Sequence, residues 1–434
     1  MCPRTNRTSQ GSRAGLASFE MIETVHDLEM VARDLLREDV IGVDTEADSF
    51  YHYFDKTCLV QVATRSHRYL IDPLAMGGPK ALEPLGPVFA SPDVKVIFHA
   101  AEYDIFVLKR DCNFTFANLF DTMVSAQLLG YPGIGLAALI EHHFGVKLAK
   151  DEQRSDWSRR PLTERQLAYA ASDVEYLIRL ERTLARELKK EKRFSWAMEE
   201  FALLIERRWP ERPFDKLGYL KIKGARKLDA DSLSVLKQLY LLRDKRARAI
   251  DRPAFKVLGN RALLDISEQR PSTQNDLAAI KGVSDLILRR MGSELLTAVN
   301  KGKAKPHGPI PKSTASGTTT RRRMDRQTEQ RLTVLKRWRA PRSKEVALEP
   351  GVLCSNASLE AIAWQNPQAV AELSSLPELK NWFVDSFGEE IVNALAEAPP
   401  AEAPPSTDGR RKKRRSKPTH EDTPPRPKKQ KPPG

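Results

Sequence analysis

Val40-Ile41-Gly42-Val43-Asp44-Thr45-Glu46 is a short apolar run that ends in two acids. The run reads as a buried strand. Side chains alternate between the faces of a strand, so Asp44 and Glu46 share one face. Two carboxylates held side by side repel each other unless a cation lies between them. An isolated D-x-E of this kind is usually a solvated loop start, so its meaning depends on what surrounds it.

Around it, strand-like and helix-like patterns alternate. Leu28–Leu36 has helical spacing, Leu59–Ala63, Tyr69–Ile71 and Val94–Phe98 read as further strands, and Tyr103 to Arg110 reads as a helix. After Phe120 the pattern is mostly helical, through Leu136–Phe144 and Glu164–Glu187. An early sheet with later helices predicts an α/β domain over 19–207. The remainder reads as all-helical and repeats itself. Asn260, Leu263, Ile266, Pro271, Leu277, Ile280, Gly292 and Leu295 recur 96 residues on as Asn356, Leu359, Ile362, Pro367, Leu373, Leu376, Gly388 and Ile391. Arg243 and Leu239 answer Arg339 and Leu335 at the same offset. Two helical bundles are expected, over 226–302 and 325–397. Between them, 303–324 reads as a linker, with Lys301–Thr320 rich in Lys, Pro, Gly, Ser and Thr.

The chain has 434 residues, 41% apolar and 29% charged, enough for at least two cores. Its apolar runs, such as Ile134–Ile140, are too short to span a bilayer. Residues 1–18 are polar with no apolar h-region, so they read as a lead-in rather than a secretory signal, and Met21 is a second place where translation could begin. Four widely spaced cysteines without a C-x-x-C pair argue against a disulfide framework and a structural zinc, and for a reducing compartment. The net charge is +14, of which Gly409–Gly434 supplies nine through eleven Lys/Arg against two acids. The segment 398–434 thus reads as a disordered, basic, proline-rich tail that would touch RNA or another polyanion.

Three further places in the first domain carry acids. In His99-Ala100-Ala101-Glu102-Tyr103-Asp104, Asp104 falls in the first turn of a helix, where the dipole favours a negative charge. In Tyr169-Ala170-Ala171-Ser172-Asp173, the spacing of four places phenol and carboxylate on one helical face. Asp121 is expected to be structural, capping the helix from Met123. Taken together, D-x-E, an Asp some sixty residues on and Tyr-x-x-x-Asp form the order of the DEDD exonucleases, in the Tyr-containing variant. Four hard carboxylates suit Mg²⁺ or Mn²⁺ rather than zinc.

Specific stretches extend that resemblance. Phe120-Asp121-Thr122, the run Asp151-Glu152-Gln153-Arg154-Ser155-Asp156-Trp157-Ser158-Arg159-Arg160-Pro161-Leu162 and Leu167-Ala168-Tyr169-Ala170-Ala171-Ser172-Asp173-Val174 resemble ribonuclease D. The two helical repeats resemble its HRDC domains, the second diverging at Trp338, Trp364 and Trp382. The resemblance spans 19–397 and implies a ribonuclease H-like α/β exonuclease domain, a mixed sheet flanked by helices, followed by two all-α HRDC bundles. It implies a 3′→5′ exoribonuclease that releases nucleoside 5′-monophosphates by two-metal hydrolysis. Asp44, Glu46 and Asp173 would hold one ion, Asp44 would bridge to a second with Asp104 supporting it, and Tyr169 would aim the attacking water.

The implied partner is RNA with a single-stranded 3′ end, tRNA precursors in the family, with no membrane and no obligate protein partner. His99 is a candidate RNA contact, as are Lys237, Arg243, Lys245, Arg246 and Arg248, read as a basic helix face. Glu102 and Gln61 are further substrate-contact candidates, a structural hydrogen bond being the competing reading. The tail resembles a nuclear localisation signal, but the bacterial domain layout points to the cytoplasm. Two alternatives stand beside the exoribonuclease: a DNA 3′→5′ exonuclease, and a catalytically silent RNA-binding scaffold.

Overall fold

In the computed structural model, residues 18–208, 214–305, 307–308 and 324–397 are described. The lead-in, most of the linker and the basic tail lie outside them. Six strands form one mixed sheet in the order β1-β4-β3-β2-β5-β6, with β1 Glu20–Ile22, β2 Val40–Ala47, β3 Thr57–Ala63, β4 Arg68–Ile71, β5 Lys95–Phe98 and β6 Leu119–Asp121. β2, β3 and β4 run antiparallel, whereas β5 is parallel to β2 and β6 to β5. The parallel pairs require helical crossovers, and those helices cover the faces of the sheet. The short strands β1 and β6 carry no alternation and went unread in the sequence.

β2 runs three residues past Glu46's acidic partner Asp44, to Ala47, so the D-x-E lies inside the strand instead of at its end. Pairing of Asp44 with Gln61 and of Glu46 with Leu59 on β3 holds it extended. The single helix expected over Glu164–Glu187 is two helices, Glu164–Glu175 and Leu177–Lys190, meeting at Tyr176. A capping box of Thr163 and Gln166 starts the first. The second approaches β2 so closely that a Cβ at Gly42 would lie 3.0 Å from that of Leu177. The break lets one helix face the acids while the other packs against the strand.

The helical half repeats in three dimensions at the spacing seen in the sequence. Ala230–Ala249, Ala254–Val257, Asn260–Gln269, Gln274–Ala278 and Asp285–Lys303 are followed, 96 residues on, by Arg326–Glu345, Pro350–Leu353, Asn356–Gln365, Val370–Leu373 and Asn381–Ala396. The equivalent Arg243 and Arg339 do the same work in each unit. Arg243 donates to the Leu258 carbonyl (3.0 Å) and Asn260 Oδ1 (2.8 Å), and Arg339 to the Cys354 carbonyl and Asn356 Oδ1. Tyr219, Leu220, Ile222 and Ala225, ahead of residue 226, also enter the core of the first unit. The second unit shares one core with the sheet domain, to which it is joined by Trp382 stacked 4.5 Å from Trp196 and by Glu199 and Glu200 bonded to residues 380–382. One of the tryptophans that distinguish the second unit is therefore an interface residue.

The basic-face expectation for Arg243 is corrected here. Its guanidinium is buried and spends its donors inside the unit. Arg246 forms a two-pronged pair with Glu294, and Arg248 bonds the Tyr53 hydroxyl. Lys237 is half-buried and Lys245 exposed, and at 100° per residue the five cations encircle the helix instead of forming one face. Arg243→Ala should cost about 1–3 kcal/mol, because the buried Leu258 carbonyl loses its donor and the packing around the guanidinium is lost. Thermal unfolding would show this as a lower Tm, with the salt dependence of RNA binding unchanged. A shallower salt slope at unchanged Tm would restore the phosphate-contact reading.

Candidate active site

The interior of β2 places Asp44 and Glu46 side by side, and the helix Glu164–Glu175 brings Asp173 across to them. One carboxylate oxygen from each lies within 4.8 Å of the others. Asp104 stands outside this trio. It is buried in the first turn of the helix Glu102–Cys112 and accepts a 2.6 Å hydrogen bond from the Thr45 hydroxyl. Thr45 is the middle residue of the D-x-E, and strand alternation points it away from its neighbours. Its partnership with Asp104 went unread because nothing in the sequence says what covers that other face of β2.

No lysine or arginine is bonded to any of these four acids among the described residues, and their protonation reflects that. Burial raises Asp44 to about 7. Burial also lifts Glu46, Asp104 and Asp173 well above the ordinary carboxylate range, Asp44's charge adding to the effect on each. Gln61, the cross-strand neighbour of Asp44, is fully buried with neither its amide nitrogen nor its amide oxygen bonded. Two half-buried acids (Asp44, Glu46) and two buried ones (Asp104, Asp173) without a protein counter-ion, beside an unpaired buried amide, cost free energy unless a cation joins them. An all-oxygen donor set of this kind suits a hard divalent cation, so the residues present fit such an ion.

Tyr169 lies one helical turn before Asp173 and hydrogen-bonds it. Burial first, then the charges of Asp173, Glu46 and Asp44, pushes its phenol further above its usual range. Trp157 packs beside it, ring centroids 6.1 Å apart, and is itself buried. Arg160 fixes that loop by bonding Asp72 at the end of β4 and the carbonyls of Cys58 and Trp157. The S-D-W…R-P-L run thus forms the wall behind the tyrosine.

The remaining candidates lie around this cluster. Asp121 caps the helix Thr122–Leu129 as expected, and its carboxylate also accepts from the amides of Ala100 (3.1 Å) and Ala101 (2.8 Å). That second bond pair fixes the turn leading to Asp104, where Ala100 has φ +63°. His99 Nδ1 lies 2.9 Å from the Thr122 hydroxyl, and burial lowers its pKa to about 4. A neutral imidazole offers no cation to a phosphate, so a contact of His99 with RNA would be a hydrogen bond and not an ion pair. Glu102 is exposed and paired with Arg207 at 2.7 Å.

Residues 19–189 match a 3′–5′ exonuclease family, and residues 232–299 and 328–395 each match the HRDC domain. The ribonuclease D of Gluconacetobacter diazotrophicus is 30% identical over 387 residues, covering 88% of this chain and 94% of the relative. That of Desulfotalea psychrophila is 32% identical over 293 residues, covering 67% and 77%. Among solved structures, Escherichia coli RNase D, described as an exoribonuclease involved in structured RNA processing, is similar with a TM-score of 0.63 at 26% identity, over 88% of this chain and all of the other. The catalytic core of RRP6 from Trypanosoma brucei gives 0.62 at 28%, over 68% and 82%.

Proposed function

Because the chain belongs to the ribonuclease D family and is a 3′→5′ exoribonuclease, we propose that Asp44, Glu46, Asp104 and Asp173 hold its divalent ions and that Tyr169 directs the attack. The observation that carries this reading is the trio of carboxylates, two half-buried and one buried, within 4.8 Å of one another with no protein cation bonded to them among the described residues. Mg²⁺ or Mn²⁺ is the ion this donor set favours. Such ions, when bound, acidify water and offset the charge that builds on the phosphate. Asp44, Glu46 and Asp173 would hold one ion, and Asp104, fixed by the Thr45 hydroxyl, would help Asp44 hold the second. With its phenol protonated throughout the working pH range, Tyr169 donates a hydrogen bond and positions the nucleophile; it does not remove the proton. Trp157 and the clamp through Arg160 keep that ring from turning away.

We take the units to span 19–207, 226–302 and 325–397, a reading supported by family matches that fall inside those bounds. The substrate class is taken to be structured RNA with a single-stranded 3′ extension, tRNA precursors foremost, acted on in the cytoplasm. Its support is the membership itself and the unpaired state of Cys58, Cys112 and Cys354. No helix among the described residues is long and apolar enough to cross a membrane.

The test uses a 5′-labelled RNA duplex with a single-stranded 3′ tail, incubated with Mg²⁺, Mn²⁺ or EDTA. A ladder shrinking from the 3′ end with either ion, and absent in EDTA, is expected. Tyr169→Phe should slow kcat by roughly tenfold to a hundredfold, as lost positioning does, with KM and Tm nearly unchanged. Full activity in Tyr169→Phe would remove the tyrosine from the mechanism. An equal-length DNA strand degraded as fast as the RNA would favour the DNA exonuclease reading.

A further inference from the structure

Eleven large apolar side chains are exposed among the described residues, and five of them, Phe50, Phe54, Tyr103, Ile250 and Phe255, flank one seam between the sheet domain and the first helical unit. Scattered single residues of this kind need no explanation, but a cluster does. The seam is made by the loop 48–56 after β2 lying on the turn 250–256. Asp251 ties the two together, accepting from the backbone amides of Tyr53 and Phe54 at 3.0 Å each and meeting His52 Nδ1 at 2.6 Å. The Tyr53 hydroxyl donates to Asp244 at 2.6 Å, and the Lys256 ammonium sits 3.5 Å from the centre of the Tyr51 ring. A loop anchored at so many points presents its outward rings in one fixed arrangement, although Phe54 and Phe255 stay 59% and 56% exposed.

Two features give the seam its chemistry. It starts at the acids: Phe50 follows Glu46 by four residues, and Tyr103 precedes Asp104 and bonds Asp55 of the loop at 3.1 Å. It is also basic, since Arg252 and Lys256 are exposed and pair with no acid among the described residues, and Arg248 lies over the Tyr53 ring at 5.4 Å. Aromatic faces interleaved with cations are what unstacked bases and their phosphates require. A protein partner would be met by a drier patch with fewer unpaired charges.

We propose that this seam is the track for single-stranded RNA just 5′ of the nucleotide being removed, with Phe54 and Phe255 stacking bases and Arg252 and Lys256 meeting phosphates. The proposal rests on the exoribonuclease reading and adds that the nuclease and the first helical unit form one composite binding surface. It also gives that unit a defined role: its turn 250–256 completes a path that the loop 48–56 begins.

The test compares a ribodinucleotide, too short to reach the seam, with a single-stranded RNA of on the order of a dozen nucleotides. Phe54→Ala and Phe255→Ala, alone and together, should each raise KM for the longer RNA roughly tenfold, the scale of one lost base stack. Dinucleotide hydrolysis should be unaffected. Arg252→Ala should flatten the salt dependence of longer-RNA binding by about one unit of slope. A 2-aminopurine placed a few bases from the 3′ end and mixed with wild-type protein in EDTA should be quenched, and the double variant should abolish the quench. Unchanged KM and quench in the double variant would overturn the proposal. So would a change in sedimentation from dimer to monomer, which would make the seam a contact between copies of this chain. If the wild-type protein quenches the probe yet cuts neither RNA with Mg²⁺ or Mn²⁺, the exoribonuclease reading fails and the binding track stands.

Discussion

Asp44→Asn is expected to abolish RNA degradation while making the metal-free protein more stable. Asp44 pairs with Gln61 across the sheet, neighbours Glu46 on the same face, and raises the pKa of Glu46, Asp104 and Asp173 through its charge. Replacing it with a neutral amide removes the central ligand of the cluster and the charge common to the repulsions within it. Losing the transition-state stabilisation of a divalent ion forfeits several kcal/mol, so activity should fall by on the order of a thousandfold or more. The amide also offers Gln61 a neutral partner. Each ~1 kcal/mol gained is worth roughly 2–4 °C in a domain of this size, so the metal-free Tm should rise by several degrees. Thermal unfolding with and without Mg²⁺ checks both halves: added Mg²⁺ should stabilise wild-type protein and leave Asp44→Asn nearly unmoved. A variant that loses activity and also loses metal-free stability would show that Asp44 is structural and that the cluster is not a cation site.

The second large effect is on pH. In the unfolded chain these four acids titrate near 4. In the folded, metal-free protein burial holds Asp44 at about 7 and the other three well above their ordinary range. Between those limits the folded state binds more protons than the unfolded one, so the site's contribution to stability falls as pH rises through the window. The metal-free Tm should therefore decline from about pH 5 toward pH 8, more steeply than in Asp44→Asn. Divalent binding needs the ionised acids and so has the opposite sign: it strengthens with pH and releases protons. At a fixed, limiting Mg²⁺ concentration, kcat/KM should climb roughly tenfold per unit below about pH 7 for a single controlling group, and more steeply if two act together. A flat profile from pH 5.5 to 8 at limiting metal would mean the acids are already ionised in the free protein and that the cluster is not the metal site.

How far the site could be read in advance differs from residue to residue. Asp44, Glu46, Tyr169 and Asp173 are visible through two local periodicities, two per strand step and about four per helical step, which depend on backbone geometry alone. The capping role of Asp121 is local in the same way. Thr45 was invisible because its partner Asp104 is 59 residues away on another element. Arg243 was misjudged for a related reason: a basic residue on a helix looks solvated until the chain folds its own acceptors, Leu258 and Asn260, against it. The repeat held a clue, since Asn260 and Arg243 recur together as Asn356 and Arg339. Their joint recurrence reflects an internal hydrogen bond present in both units.

Apolar patterning and the offset of 96 residues are properties of the chain as a string, and they were enough for the α/β domain and the two helical bundles; the class of reaction followed from the resemblance carried by the order of the acids. Three features arise only when distant segments meet: the convergence of the carboxylates without a protein counter-ion, the docking of the second helical unit through Trp196 and Trp382, and the aromatic seam along 48–56 and 250–256. The physical reason is that periodicity reports which way a side chain points from its own backbone, whereas desolvation, charge repulsion and stacking depend on what other segments bring to it.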